Sequence, residues 1–125
     1  MNELIIIGLK NEIKNILDTF NSTLPESVIM QLILAAKEDL VSFASKDPSS
    51  GGNILIVLET SLSYQSVLYY RIAHYLYHNN NQLMARKISE YAKKMTNIEI
   101  HPAAKIGKNF VIDHGIGTVI GEQRK

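Results

Sequence analysis

The 125-residue sequence contains no cysteine and no tryptophan, and only 7% of its residues are aromatic. Without cysteine the chain forms no disulfide, offers no thiolate nucleophile and cannot bind zinc through thiolates. No apolar run reaches the roughly 18 residues that a membrane-spanning helix needs, and residues 1–7 lack the basic start of a signal peptide. These absences exclude redox and zinc-finger proteins, and they predict a cytoplasmic protein without a membrane partner.

The residues that are present are typical of one folded domain, or of one domain and part of another. Apolar residues make up 46% of the chain and charged residues 20%, so a core can form. The net charge of +1 is unevenly distributed, because residues 81–125 carry eight Lys or Arg against four Asp or Glu. This basic excess could attract a phosphate, but it is too small and too poor in aromatic residues to predict nucleic-acid binding.

Most of the first 96 residues is predicted to be helical, because apolar residues recur there at helical spacing. Thr23 is the predicted N-cap of the second helix, since Pro25 and Glu26 follow it. The apolar run at residues 54–58 fits a buried strand or a short helix, and we predict a helix. The four longer helices are predicted over residues 3–20, 24–44, 63–78 and 83–95. Their predicted core-facing residues are Ile6, Leu9, Ile13, Ile16, Leu17 and Phe20, then Val28, Leu32, Ile33, Ala36, Leu40 and Phe43, then Val67, Leu68, Ile72, Tyr75 and Leu76, and finally Leu83, Met84, Ile88, Tyr91 and Met95.

After Asn97 the helical periodicity stops and a six-residue rhythm begins. Isoleucine occupies every sixth position at Ile100, Ile106 and Ile112, a spacing typical of the left-handed parallel β-helix, in which the aliphatic residue points inward. Three units are too few to establish that fold by spacing alone. The predicted fold class is a mainly α N-terminal helical domain, residues 1–96, followed by the first coil of a left-handed parallel β-helix, residues 97–125.

The residues of this C-terminal segment also carry a family resemblance. Residues 98–122 read IEIHPAAKIGKNFVIDHGIGTVIGE and closely resemble the first β-helix coil of the serine acetyltransferases. Upstream, residues 70–76 (YRIAHYL) resemble a helix of the same family, and Asp47 with Pro48 resembles its Asp-Pro turn. The resemblance covers roughly residues 40–122.

The resemblance implies transfer of an acetyl group from acetyl-CoA, the co-substrate, to the hydroxyl of L-serine, giving the O-acetylserine from which cysteine is made. The serine hydroxyl needs a base to take its proton, and the resemblance implies that His114 is that base. Glu99 matches the family's acidic partner of the base, which is often Asp. Asp47 and Asp113 match positions that contact serine, where a carboxylate can pair with the ammonium group. No metal is implied.

Taken without the resemblance, these residues have simpler interpretations. Asp47 would end a helix before Pro48, His114 would be a structural histidine at a corner, and Glu99 would be an exposed strand charge. Arg71 and His74 are predicted to pack and hydrogen-bond within the helical region, and His101 is predicted to be a corner residue. His74 and His78 have the i, i+4 spacing of metal ligands, but no acidic third ligand lies close in sequence, so a metal site is not predicted.

The match to the family is partial at the C-terminal end. The family continues with Thr-Ala and several further coils, whereas this chain reads Gln123-Arg124-Lys125, so we expect a C-terminally truncated member. The elements then expected to be missing are the acetyl-CoA cleft and the tail that docks onto the sulfhydrylase.

Self-association is expected on two grounds. The family forms trimers that pair through the helical domain, which implies a homo-oligomer, either a trimer or a dimer of trimers. Exposure of Ile100, Ile106 and Ile112 at an unfinished β-helix would act in the same direction.

Two functions of different classes therefore remain open. The first is a serine O-acetyltransferase whose activity in this short chain is impaired. The alternative is a non-catalytic helical oligomerisation fragment. Another hexapeptide-repeat acyltransferase is a weaker third interpretation.

Overall fold

The computed structural model of the protein describes residues 2–47, 51–107, 110–112 and 119–121. The described chain is mainly helical, which confirms that part of the prediction. Its elements are α1 (Asn2–Thr19), α2 (Glu26–Lys46), α3 (Ile54–Thr60), α4 (Leu62–Tyr77), α5 (Gln82–Thr96), β1 (Glu99–Ile100) and β2 (Val119–Ile120). Among the described residues, no helix is both long enough and apolar enough to cross a membrane.

Local signals set the helix ends, and one of them was misassigned. Asn53 caps α3 by accepting a hydrogen bond from the Leu55 amide at 3.0 Å, so the apolar run at residues 54–58 is helical as predicted. The prediction of Thr23 as the cap of α2 is wrong. Pro25 occupies the N-cap position without a side-chain cap, because its extended ψ of 150° delays the first helical residue to Glu26.

The helices enclose one apolar core, and the predicted core-facing residues of α2 are all buried. The prediction fails at the two ends of α5, where Leu83 is 70% exposed and Met95 is 50% exposed. The buried face of α5 instead consists of small and medium residues at helical spacing, because α5 lies close to its neighbours. These residues are Ala85, Ile88, Ala92 and Thr96.

The strands β1 and β2 form a two-stranded parallel sheet, with Ile100 opposite Ile120. The separation of these partners is two residues longer than three hexapeptides. Ile120 is 7% exposed and belongs to the core. Ile100 and Ile112 are buried as well and join the helical core. The expectation that these two isoleucines are exposed is therefore wrong, since the helices cover them; Ile106 is partly buried against the same core.

Candidate functional site

Side chains on one face of α4 form hydrogen bonds with the backbone of residues 102–107, which follow β1. Carbonyl oxygens of this segment accept hydrogen bonds from three α4 side chains, so backbone acceptors that have no strand partner are still satisfied. His74, the donor nearest the C-terminal end of α4, binds the first acceptor, while Tyr70 and Arg71, one turn earlier, bind the later ones. The pairs are His74 with Pro102 (2.8 Å), Tyr70 with Ala104, and Arg71 with Ile106 (3.1 Å) and Gly107 (2.6 Å).

Asp39 of α2 completes this attachment from the other side. Its side chain is 0% exposed, and its two oxygens accept bonds from Arg71 Nε at 2.8 Å and Arg71 Nη2 at 3.0 Å. The Phe110 amide donates to Asp39 Oδ1 at 3.0 Å. We call Asp39 and Arg71 the clasp, because this bidentate ion pair joins α2 and α4 to the backbone of Ile106, Gly107 and Phe110.

Asp39 is the residue that the sequence analysis missed. A signal for it was present, because Asp39 lies within the apolar stripe of α2 defined by Leu32, Ala36 and Phe43. A carboxylate on the core-facing side of a helix requires a buried partner. Arg71 is that partner, and its predicted hydrogen-bonding role within the helical region is confirmed.

The bonding pattern assigns the protons of Tyr70 and His74. Carbonyl oxygens only accept, so the Tyr70 hydroxyl donates to Ala104 and His74 Nδ1 donates to Pro102. Neutral His74 is therefore the Nδ1–H tautomer. Burial lowers the pKa of His74, against the opposing effect of the Pro102 hydrogen bond. Burial likewise raises the pKa of the Tyr70 hydroxyl.

The lowered pKa of His74 predicts a pH-dependent stability. The unfolded chain protonates at the ordinary histidine pKa of about 6.5, before the folded chain does, so stability falls as the pH drops below that value. We expect the thermal midpoint to decrease from pH 7.5 to pH 5.5. In His74→Gln, which keeps an N–H donor without a titrating group, the decrease should be smaller. His101→Gln serves as the control, and an unchanged slope in His74→Gln would contradict the assignment.

The structure describes two of the four predicted site residues. Glu99 lies in β1, where its Oε1 pairs with Lys93 Nζ at 3.3 Å and its side chain is 39% exposed. Asp47 follows the last residue of α2 in extended conformation, as expected before a proline. Asp113 and His114 lie outside the described residues, and the described contacts do not bring Asp47 and Glu99 together.

Residues before and after Asp113 and His114 in the sequence do make contacts that the structure describes. Phe110 is bonded to Asp39 before the pair, and Val119 is paired with Glu99 after it. Asp39 lies on α2, and Asp47 follows the last residue of that helix. The chain on either side of the predicted base is thus attached to the two elements that carry or directly precede the other predicted site residues.

The remaining histidine near this region has a turn role. His101 Nδ1 accepts from the Ala103 amide at 3.0 Å, and its carbonyl accepts from the Ala104 amide at 2.9 Å. His101 thus stabilises the turn that follows β1. Within the described ranges, no three His, Asp or Glu side chains are grouped so that they could hold a metal ion.

Comparison with known proteins finds serine acetyltransferases. The chain is 45% identical to the serine acetyltransferase of Bacillus licheniformis over 86 residues, which are 69% of this chain and 39% of that protein. It is 42% identical to that of Bacillus subtilis, with the same shares of the two chains. It is 41% identical to that of Staphylococcus aureus over 93 residues, or 74% of this chain and 43% of that protein. No protein-family model matches the chain.

These similarities confirm the predicted resemblance to the serine acetyltransferases. The chain spans about two fifths of the length of these curated relatives.

Proposed function

We propose that this chain carries the serine-binding and proton-abstracting part of a serine O-acetyltransferase that uses acetyl-CoA. The observation that supports it most strongly is the 41–45% identity to proteins of that name. In this proposal His114 takes the proton of the serine hydroxyl as the oxygen attacks the thioester carbonyl. The carbon–sulfur bond then breaks, and CoA leaves as the thiol after it takes up a proton. The reaction needs no metal, and we assign the protein to the cytoplasm.

The proposed roles of the carboxylates follow from charge. Glu99 orients His114 and stabilises its protonated form, while Asp47 and Asp113 pair with the ammonium group of serine. The ion pair between Glu99 and Lys93 joins two partly exposed side chains, and such pairs contribute little to stability and exchange readily. Lys93 therefore leaves the carboxylate of Glu99 available to a histidine.

The proposed fold of residues 97–125, as a domain distinct from residues 1–96, is the first coil of a left-handed parallel β-helix. The parallel pairing of β1 with β2 supports it, since consecutive coils of a β-helix stack as parallel strands.

Serine binding tests the proposed function. We expect L-serine to bind the wild-type chain in a calorimetric or NMR titration, and Asp47→Asn to weaken the affinity about tenfold or more, as expected for a lost charge-assisted hydrogen bond. His114→Gln should leave the affinity for L-serine unchanged and alter only the pH dependence of binding. Asp18→Asn, which neutralises an exposed carboxylate of α1, is the matched control. Typical KM values do not exceed about 1 mM. Absence of binding at ~10 mM L-serine, well above that range, would therefore contradict the proposal.

A helical association module remains the second candidate, and exposed apolar residues on α1 and α2 favour it. Lys10 and Lys14 of α1 both pair with Glu26 at the start of α2, at 3.6 and 3.4 Å. The exposed apolar residues continue along the same ridges, namely Leu4, Ile7, Met30 and Leu34. We propose a homo-oligomer on this basis. Sedimentation at protein concentrations on the order of 10–100 µM, where weak oligomers form, tests the proposal. A pure monomer in that range would contradict it.

A further inference from the structure

The clasp fastens one short stretch of backbone at three points. Arg71 donates to the carbonyls of Ile106 and Gly107, and Asp39 accepts from the Phe110 amide. The two side chains also bind each other. Ile106, Gly107 and Phe110 are therefore bound to α2 and α4 through a single ion pair.

The geometry of an arginine side chain suits this task. A guanidinium presents five N–H donors in a rigid plane, and Arg71 uses Nε and Nη2 for Asp39 while Nη1 and Nη2 reach the two carbonyls. A lysine ammonium in the same place is a point charge and cannot hold that plane. Asp39 is 0% exposed, so neither exchange with water nor salt weakens the pair appreciably.

The stretch held by the clasp leads directly to the proposed base. Phe110 precedes Asp113 by three residues and His114 by four. Asp39 lies on α2, and Asp47 directly follows the last residue of that helix. The clasp thus joins the helix that precedes one proposed serine contact to the backbone that leads to the other.

From these contacts we infer that Asp39 and Arg71 are positioning residues of the proposed serine site, holding Ile106, Gly107 and Phe110 in the positions that serine binding requires. The inference rests on the proposed function. Neither residue is a catalytic residue, because Asp39 is fully buried and Arg71 is occupied by protein acceptors.

The experiment combines a local readout with a functional one. Amide hydrogen exchange at Phe110 and the dissociation constant for L-serine are measured in the full chain for wild type, Arg71→Lys and Asp39→Asn. Ile88→Ala is the control, because Ile88 is a buried residue of α5 whose truncation destabilises the core without touching the clasp. All measurements are made well below the unfolding temperature, with helicity checked by circular dichroism.

We expect Arg71→Lys to speed Phe110 exchange at least tenfold and to weaken serine affinity at least fivefold, while Ile88→Ala changes neither by more than twofold. Asp39→Asn keeps an acceptor for the Phe110 amide and should show a smaller effect on exchange than Arg71→Lys. Unchanged exchange at Phe110 would overturn the inference, as would unchanged serine affinity despite faster exchange. An equal loss of affinity in Ile88→Ala would show a general stability effect and would also overturn it.

The two proposals fail in different ways. If the wild-type chain binds no serine, the proposed function fails and the positioning role fails with it. If wild type and Arg71→Lys bind serine equally, only the positioning role fails.

Discussion

Asp39→Ala is expected to lower the free energy of unfolding by about 3–5 kcal/mol, the range for breaking a buried ion pair by removing one partner. The substitution leaves the Arg71 guanidinium, whose side chain is only 12% exposed, without its counter-charge. It also leaves the Phe110 amide without its acceptor. Urea denaturation followed by circular dichroism measures the loss.

A second variant tests whether the uncompensated charge causes this loss. Adding Arg71→Met to Asp39→Ala removes the unpaired cation, and paired removal of a buried ion pair is often nearly neutral. We expect the double variant to lose less stability than the sum of the two single variants. Lys14→Gln, which breaks an exposed pair, should leave the urea midpoint unchanged. Strict additivity of the two clasp substitutions would contradict the coupling.

The 125-residue chain assayed on its own is expected to release negligible CoA from acetyl-CoA in the presence of serine. Positioning the two reactants accounts for roughly 7–11 kcal/mol of a barrier, and the resemblance implies that the family's acetyl-CoA cleft is formed by coils that follow the one matched here. A base such as His114 cannot replace that contribution. Free thiol is followed with serine present and absent.

Any trace of activity should disappear in His114→Ala and persist in His101→Ala, which alters only a turn histidine. A rate on the order of 10 per second, which is ordinary for enzymes, would show that acetyl-CoA is positioned by these 125 residues or by a partner chain. That result would overturn the expectation that the chain is insufficient for turnover, and it would support the proposed reaction itself.

Helical periodicity was sufficient to predict most of the fold. The apolar stripes of α1, α2 and α4 predicted the helices and most of their buried faces, because a soluble helix must bury one apolar side. The ends were less predictable. Leu83 and Met95 have the composition of core residues, yet they lie outside the face of α5 that its neighbours cover, and no local signal reveals where a neighbour ends.

The candidate site was likewise predictable from the sequence only in part. The pattern from Ile98 to Glu122 identified the resemblance that the relatives confirm, because that signature lies in consecutive residues. The bond between Asp39 and Phe110 joins residues 71 positions apart, and the clasp connects three elements that are separate in the sequence. Asp39 was overlooked because its significance depends on a partner brought by α4.

By itself the sequence determined the helical character of the chain, the change of pattern after Asn97 and the family resemblance, since each is recorded in the spacing of neighbouring residues. Only the tertiary structure decided that Ile100 pairs with Ile120, that Ile112 is covered by helices, and that Asp39 and Arg71 fasten the chain before the proposed base. The physical reason is that burial and ion pairing are properties of surfaces brought together by folding. A residue's own sequence neighbours do not specify which distant surface will meet it.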